Sequence, residues 1–449
     1  MYKLLAVLPF LFWIPSIAFS QADWLKRAGG SSPDLANGLW ADNQGNVFIT
    51  GSVSGSAKFF KTEVFSRGGG DVYVAKYNSG GSLVWVKTFG GKLDDFSNAI
   101  TGDPDGNLYI TGVFTDSASF DQTELVAKGT ELFAAKLNSK GNIIWAKSLE
   151  TSGTAISSAI AVTDQGGAFI GGVYSGNLDS KIKWQMGQTD GFVCKLDWEG
   201  NRTWTKVFGG AGFDEVNVLR TDPWGRVLVG AVFDQHMFVN EQELEGQSSK
   251  SGAAILYEST GSLVWTKVIT GQDAQCTIND AVTDLQGTCY LTGKFSGETQ
   301  FGEVTASSKG QTDAFLAAID KNGNLRWIST IGGSETDDAS VLELLPDGKS
   351  LLIAGQFNKF MTHGHKTITA DYDNQFFMAR WDNRGNLDEL RKLPYHSTFT
   401  CEGRKINSQG KLNLCGSFTG KANFGKQSLV SAGEEDIFIS VLSDPKILR

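Results

Sequence analysis

Residues 103–114 read DPDGNLYITGVF and, after a looser polar stretch, residues 131–147 read ELFAAKLNSKGNIIWAK. The first four have turn chemistry: Asp103 accepts backbone hydrogen bonds, Pro104 presets φ, and Gly106 takes a positive φ. An apolar strand ending in Thr111-Gly112 follows, then a second from Leu132 to Leu137. A tight turn, Asn138-Ser139-Lys140-Gly141, leads into a third strand centred on Trp145. Just upstream, Asn98-Ala99-Ile100-Thr101 is a further semi-apolar segment, so the unit reads as four short strands.

The unit recurs along the chain. Its strand-end glycine returns at Gly51, Gly112, Gly172, Gly230, Gly293, Gly355 and Gly416, at gaps of 61, 60, 58, 63, 62 and 61 residues. Its Trp returns at Trp85, Trp145, Trp204, Trp265 and Trp327. The Asp-x-x-Gly turn starts at Asp42, Asp103, Asp164, Asp222 and Asp284, with Leu345 and Asn407 as variants. A fixed period of about 61 residues built of short strands is the mark of a propeller or solenoid.

Seven first turns are matched by only six later turns that lead into a fourth strand. The missing strand lies at the other end, where Asp23-Trp24-Leu25-Lys26-Arg27-Ala28-Gly29-Gly30 repeats the pattern of residues 84–91, with Trp24 61 residues before Trp85. The expectation is therefore an all-β, seven-bladed propeller of four-stranded blades, closed by the N-terminal strand completing the last blade. Closure removes the unpaired edges that an open sheet array leaves exposed.

Residues 1–20 stand outside the repeat. Lys3, the apolar run from Leu4 to Ile17 and the small residues Ala18 and Ser20 read as a secretory signal peptide, leaving 21–449 as one propeller domain. The run is too short and Pro-broken for a membrane span, and no other stretch approaches that length. A formal net charge of -9 without basic clusters argues against nucleic acid and anionic lipid. Five cysteines have no metal-site spacing, but Cys401 and Cys415 flank the turn at Asn407, so either a disulfide or two buried thiols fits there.

The pattern carried by Asp103–Phe114, Glu131–Leu137 and Gly141–Lys147, and again by residues 313–333, resembles the SBBP-type β-propeller repeat of exported bacterial proteins. The resemblance covers essentially all of 21–449 and implies export and a propeller fold. It carries no catalytic motif. Departures are local: blade four reads Gly252-Ala253-Ala254-Ile255-Leu256, and blade six has Glu389-Leu390 in place of the Trp. The turn-to-Trp spacing differs from a sialidase Asp-box, so no sialidase chemistry is carried over.

Candidate sites follow from the loops. Tight turns join strands one to two and three to four, whereas the connections on the opposite face are long and variable. Phe59, Phe120, Phe301 and Phe424 recur there as expected buried anchors. Blades three, four and six break that pattern with Trp184, Met186, His236, Met237, Phe238, Phe360, Met361, His363 and His365, residues suited to protein contact. Drift within tolerant loops is the alternative. The innermost strands carry Arg220, Asp280, Glu343, Glu402, Arg404 and Lys405, expected to line a wet central channel.

His363 and His365 lack a third ligand at metal spacing, no Gly-x-Ser-x-Gly elbow occurs, and the Asp94-Asp95 and Asp337-Asp338 pairs recur with the repeat. The expectation is thus no enzyme, no metal and no cofactor. It is a scaffold at the cell envelope, in the periplasm or at the cell surface, associated with outer-membrane proteins. A carbohydrate-binding propeller, with or without hydrolase or lyase activity, is the second reading. It requires carboxylates and exposed aromatics that converge in space.

Overall fold

A computed structural model describes residues 22–151, 154–178, 185–396, 399–444 and 446–447. The proposed signal peptide and Trp184 lie outside the described residues. Among those described, the regular elements are all β-strands, and the named strands pair antiparallel in a propeller-like array. Unit two shows the plan: Phe96–Gly102, Leu108–Phe120, Thr123–Leu137 and Ile143–Ser148, each bonded to the next. In unit seven the consecutive strands are Thr400–Ile406, Leu412–Phe418 and Asp436–Leu442. The outer place beside Asp436–Leu442 is taken by Ala22–Gly30, with Leu25 opposite Ser440 and Lys26 opposite Ile439.

Second and third strands such as Val227–Phe233 and Ser251–Tyr257 are buried throughout, because both their faces are covered. The apolar core lies between units: Phe169, Val193 and Phe208 of unit three pack with Val216, Val229 and Ile255 of unit four. Each innermost strand lies against that of the next unit, and Leu35–Ala41 also lies against Thr400–Ile406.

Three devices join neighbours. First, every inner strand is bulged, skipping Asn37, Asn98, Ser158, Asn217, Asn279, Ser340 or Glu402 in its register with the second strand. Four of the skipped side chains bond to the next unit: Asn37 donates to the Ser97 carbonyl at 3.1 Å, Asn98 to Ser157 at 3.0 Å, Ser158 to Val216, and Asn279 to Ala339 at 3.0 Å. Second, the long connections between strands two and three fold as hairpins, and most pair with the outer strand of the preceding unit, as in Gly90↔Ser119 and Phe208↔Val239. Phe59, Phe120, Phe301 and Phe424 are buried at the hairpin ends.

Third, Trp24, Trp85, Trp145, Trp204 and Trp327 donate their indole N–H to a carbonyl in the next unit's three-to-four turn. Their rings lie against that turn's glycine; a Cβ on Gly81 would come within 2.6 Å of Trp24. This explains the missing Trp of unit six. Ala22–Gly30 fills the outer place beside Asp436–Leu442, so among the described residues no turn glycine stands there to receive a Trp.

One open alternative is decided and one expectation is corrected. The thiols of Cys401 and Cys415 are free and buried. The bulge at Glu402 shifts the register, placing Cys401 opposite Gly416 and Cys415 opposite Gly403. In unit three the turn starts at Thr163 rather than Asp164: the Gly166 N–H donates to the Thr163 carbonyl at 2.9 Å, and the Gly167 N–H to Thr163 Oγ1 at 3.2 Å.

Candidate functional site

The strand-two-to-three hairpins leave the blade ends opposite the tight turns and fold back along the outer strands, so that Asp121 at one tip accepts the Ile143 N–H at 2.9 Å, just past the turn at Asn138. Their two-residue tips need positive φ, supplied at Phe60, Asp121, Asn240, Glu241, Gly302, Gly364 and Gly425. Alternation along the hairpin decides which of the proposed contact residues reach solvent. Met237 and Met361 do not: both are fully buried, at the inward position that Ala57, Ala118 and Ala422 hold in other units. They are core residues, which corrects their assignment to a contact surface.

Met186, His236, Phe360 and His365 are exposed, and Phe238 and His363 are half-buried. His236 Nδ1 lies 3.0 Å from Glu243 Oε1. His363 is turned inward, its Nδ1 2.8 Å from the Thr330 carbonyl, while His365 sits at the hairpin tip. The two rings thus serve different surroundings. Among the described residues no group of three or more His, Cys, Asp or Glu is placed to hold a metal ion.

Large apolar side chains that sequence periodicity did not single out are exposed on the same hairpins: Phe60 (77%), Phe65 (61%), Val126, Val304 and Val430. Phe60 borders a cleft of about 300 Å³ with Leu25, Tyr77 and Leu83. Exposed apolar side chains on these hairpins, with the aromatic Phe60 and Phe65 together on one of them, are the feature most suited to protein contact.

The inner-strand charges divide. Arg220, Arg404 and Lys405 line a basin of about 400 Å³ that also takes in Trp40, Asp42, Asp103 and Asp164. Glu402 lines a smaller adjoining space with Arg220 and Arg404. Asp280 is buried rather than lining: it pairs with Arg220 at 2.6 Å and accepts the Leu342 N–H at 2.9 Å. Glu343 pairs with Lys405. Most of these charges tie one unit to another, which leaves little free charge for a ligand.

A second set of carboxylates sits where outer strands pass to the next unit. Asp34 with Asp436, Asp71 with Asp95, Asp190 with Asp214, and Asp313 with Asp337 are four fully buried pairs. In each pair the loop Asp accepts two backbone N–H groups; Asp95 takes those of Gly91 and Thr115. Its partner accepts one, Asp71 from Arg67 and Asp190 from Met186. One oxygen of each partner (Asp71 Oδ1, Asp190 Oδ1, Asp313 Oδ2, Asp436 Oδ1) has no hydrogen-bond partner among the described residues. Burial raises the carboxyls of Asp34, Asp71, Asp95 and Asp190 to about 6, and those of Asp214 and Asp337 to about 7.

These pairs explain the Gly-Gly motif. Asp71 and Asp95 both lie against Gly90, where a Cβ would be 2.7 Å from one carboxylate and 2.8 Å from the other. At the boundary after unit four, Ser251 replaces the Asp and Thr270 the first Gly, their hydroxyls 2.8 Å apart. The smaller acid substitute leaves room for a side chain.

On the tight-turn face two aromatic residues outside the Trp period, Trp198 and Trp224, are exposed. Sequence reading passed over both. The signal was present, since they occupy turn positions that other units fill with polar residues.

No protein-family model matches the chain. A 165-residue segment is 26% identical to an uncharacterized WD repeat-containing protein of Acanthamoeba polyphaga mimivirus, covering 32% of this chain and 12% of that protein. The chain therefore corresponds to a small part of that relative's length. Among solved structures, a protein of unknown function from Dyadobacter fermentans DSM 18053 aligns over 93% of this chain and 99% of its own, at 9% identity and a TM-score of 0.39. A glucose dehydrogenase aligns over 94% and 100%, at 11% identity and 0.36. A Bacteroides caccae protein of unknown function aligns over 67% and 87%, at 13% and 0.34. With TM-scores this low, none bears on what the chain does.

Proposed function

We propose that the chain closes as a single seven-bladed β-propeller of the SBBP-repeat type and works as a non-enzymatic, exported protein-binding scaffold. Its place is the bacterial cell envelope, in the periplasm or at the cell surface, as an accessory subunit of an outer-membrane-associated complex. Closure is supported by the pairing of Ala22–Gly30 with Asp436–Leu442 and by the packing of Leu35–Ala41 on Thr400–Ile406. Export rests on the signal-like residues 1–20. The binding role rests on the exposed aromatic and aliphatic side chains of the hairpin face, with Phe60, Phe65 and Phe360 foremost. Self-paired charges between the inner strands support a structural role for the channel rather than a reactive one.

The test is a tagged pull-down from gently solubilised envelope, comparing the natural chain with a Phe60→Asp/Phe65→Asp/Phe360→Asp variant. The natural chain should recover one or two near-stoichiometric proteins. The variant should recover at least tenfold less while melting at the same temperature, since a single hot-spot aromatic worth about 2 kcal/mol already lowers affinity about thirtyfold. Equal recovery by the variant, or no partner with the natural chain, contradicts the proposal.

A further inference from the structure

The third residue of the inner-to-second-strand turn is Gln44, Asp105, Gln165, Gln286, Asp347 or Gln409 in six units, and Trp224 in unit four. In a repeat protein, packing residues recur and a binding residue need not, so a single large exception on the surface is informative. Trp224 is 54% exposed, yet its ring is held in place. The Arg226 guanidinium lies 5.0 Å from the ring centroid and is itself bonded to Asp222 at 2.6 Å. The ring's edge reaches toward Gly287, where a Cβ would come within 3.7 Å. An aromatic platform fixed from one side loses little freedom when a ligand covers the other.

Beside it opens a cleft of about 150 Å³, lined by Thr163, Asp164, Gln165, Lys195, Asp222 and Ser259. Asp222 is spent on its own turn, accepting the Trp224 and Arg226 N–H groups. Lys195 is spent on the Ser259 carbonyl at 2.8 Å. Asp164 is different. Because Thr163 starts the turn in unit three, the Asp164 carboxylate is released from that duty. Asp164 and Gln165 are both exposed, and their side chains have no hydrogen-bond or ion-pair partner among the described residues. Trp198, 65% exposed, stands on the other side of the same turn, its Cβ 3.7 Å from where a Cβ on Gly166 would be.

We propose that this cleft binds a pyranose ring of a neutral oligosaccharide. A pyranose presents an apolar C–H face and a rim of hydroxyls, which the open Trp224 face and the free Asp164 carboxylate and Gln165 amide complement. Trp198 offers a second platform for a neighbouring sugar. Asp222 is paired with Arg226, and the Lys195 ammonium, turned onto the Ser259 carbonyl, offsets the exposed Asp164 carboxylate, so the cleft carries no net positive charge to favour a uronate or sulfated chain. It is built from the tight turns of units three and four, shares no residue with the hairpins proposed for protein contact, and stands or falls independently of them.

Calorimetric titration of the full chain with gluco-, manno- and galacto-configured neutral hexaoses, plus an oligouronate of matching length, tests it. At least one neutral hexaose should bind, the oligouronate more weakly. Trp224→Ala should weaken binding by about tenfold or more, the value of one aromatic stacking contact. Asp164→Ala should weaken it too, with the melting temperature unchanged in both variants. Phe60→Asp/Phe65→Asp/Phe360→Asp should bind sugar normally. Absence of binding by every neutral hexaose at about 1 mM, or binding indifferent to both Trp224→Ala and Asp164→Ala, overturns the site.

Discussion

Gly91→Ala is expected to destabilise the chain by more than about 3 kcal/mol, among the larger effects a single methyl can have. The Cβ would lie 1.8 Å from the Ser117 carbonyl oxygen, in the backbone of the next unit's hairpin. No rotamer change relieves a clash with backbone, so outer strand and hairpin must separate. The same contact recurs at Gly30 with Ser56 (1.8 Å), Gly210 with His236 (1.7 Å) and Gly333 with Phe360 (1.9 Å), which makes the second glycine of each pair a joint between units. Gly225→Ala is the control. It has a φ of 76° and nothing within 4 Å of its would-be Cβ, so only the left-handed backbone penalty of about 1–2 kcal/mol applies. Urea denaturation of both variants measures the difference; equal losses would show that the joints are not as tight as described.

Lowering the pH from 8 to about 5 should stabilise this protein. Burial pushes six of the eight paired carboxyls up to about 6 or 7, against 3.8 for an ordinary Asp, and raises Asp313 and Asp436 as well. A folded pKa above the unfolded one gives stability that is fully present below the unfolded value and lost as pH rises through the folded value. Burial is the main cause, because an ionised carboxylate is costly where water is excluded, and the neighbouring carboxylate adds a smaller contribution in each pair, for a combined effect of about 1–3 kcal/mol per pair. Neighbouring cations temper it: Arg27 pairs with Asp436 at 2.9 Å, and Arg67 and Lys309 stand near Asp71 and Asp337. The urea midpoint should therefore fall from pH 5 to pH 8. Below about pH 4 it should fall again, since turn carboxylates such as Asp320, held below the usual range by the Asn324 N–H, become protonated. Asp71→Asn supplies a donor where Oδ1 has no partner, and should flatten part of the pH 5–8 slope. A midpoint that is level or rises toward pH 8 contradicts this account of the pairs.

Much of the architecture was legible because it is periodic. The Gly and Trp spacings located the strands, and the in-phase Trp24 pointed to the outer strand of unit seven. The departures were legible only as departures. Glu389 in place of Trp makes sense once unit seven is seen to lack a turn glycine, and Thr270 once Ser251 is seen beside it. Met237 and Met361 read as contact residues because hairpin arms of four residues are too short for their alternation to be phased from sequence, and their equivalents in other units are the small residues Ala57, Ala118, Thr299 and Ala422. Trp198 and Trp224 were hidden among Trp residues whose regular members serve packing. Asp94-Asp95 read correctly as a repeat element, but its partner Asp71 lies two strands away in the chain and only the fold brings them together.

The central claim is that residues 22–30 are an integral outer strand rather than an exposed leader remnant. Hydrogen–deuterium exchange read by mass spectrometry tests it directly. Amides of Ala22–Gly30 that pair with Asp436–Leu442 should exchange as slowly as those of Leu83–Gly91, the equivalent strand of unit one, and should lose protection together with Asp436–Leu442 as urea is raised. Complete exchange of residues 22–30 within seconds, while 83–91 remains protected, would contradict the closed ring.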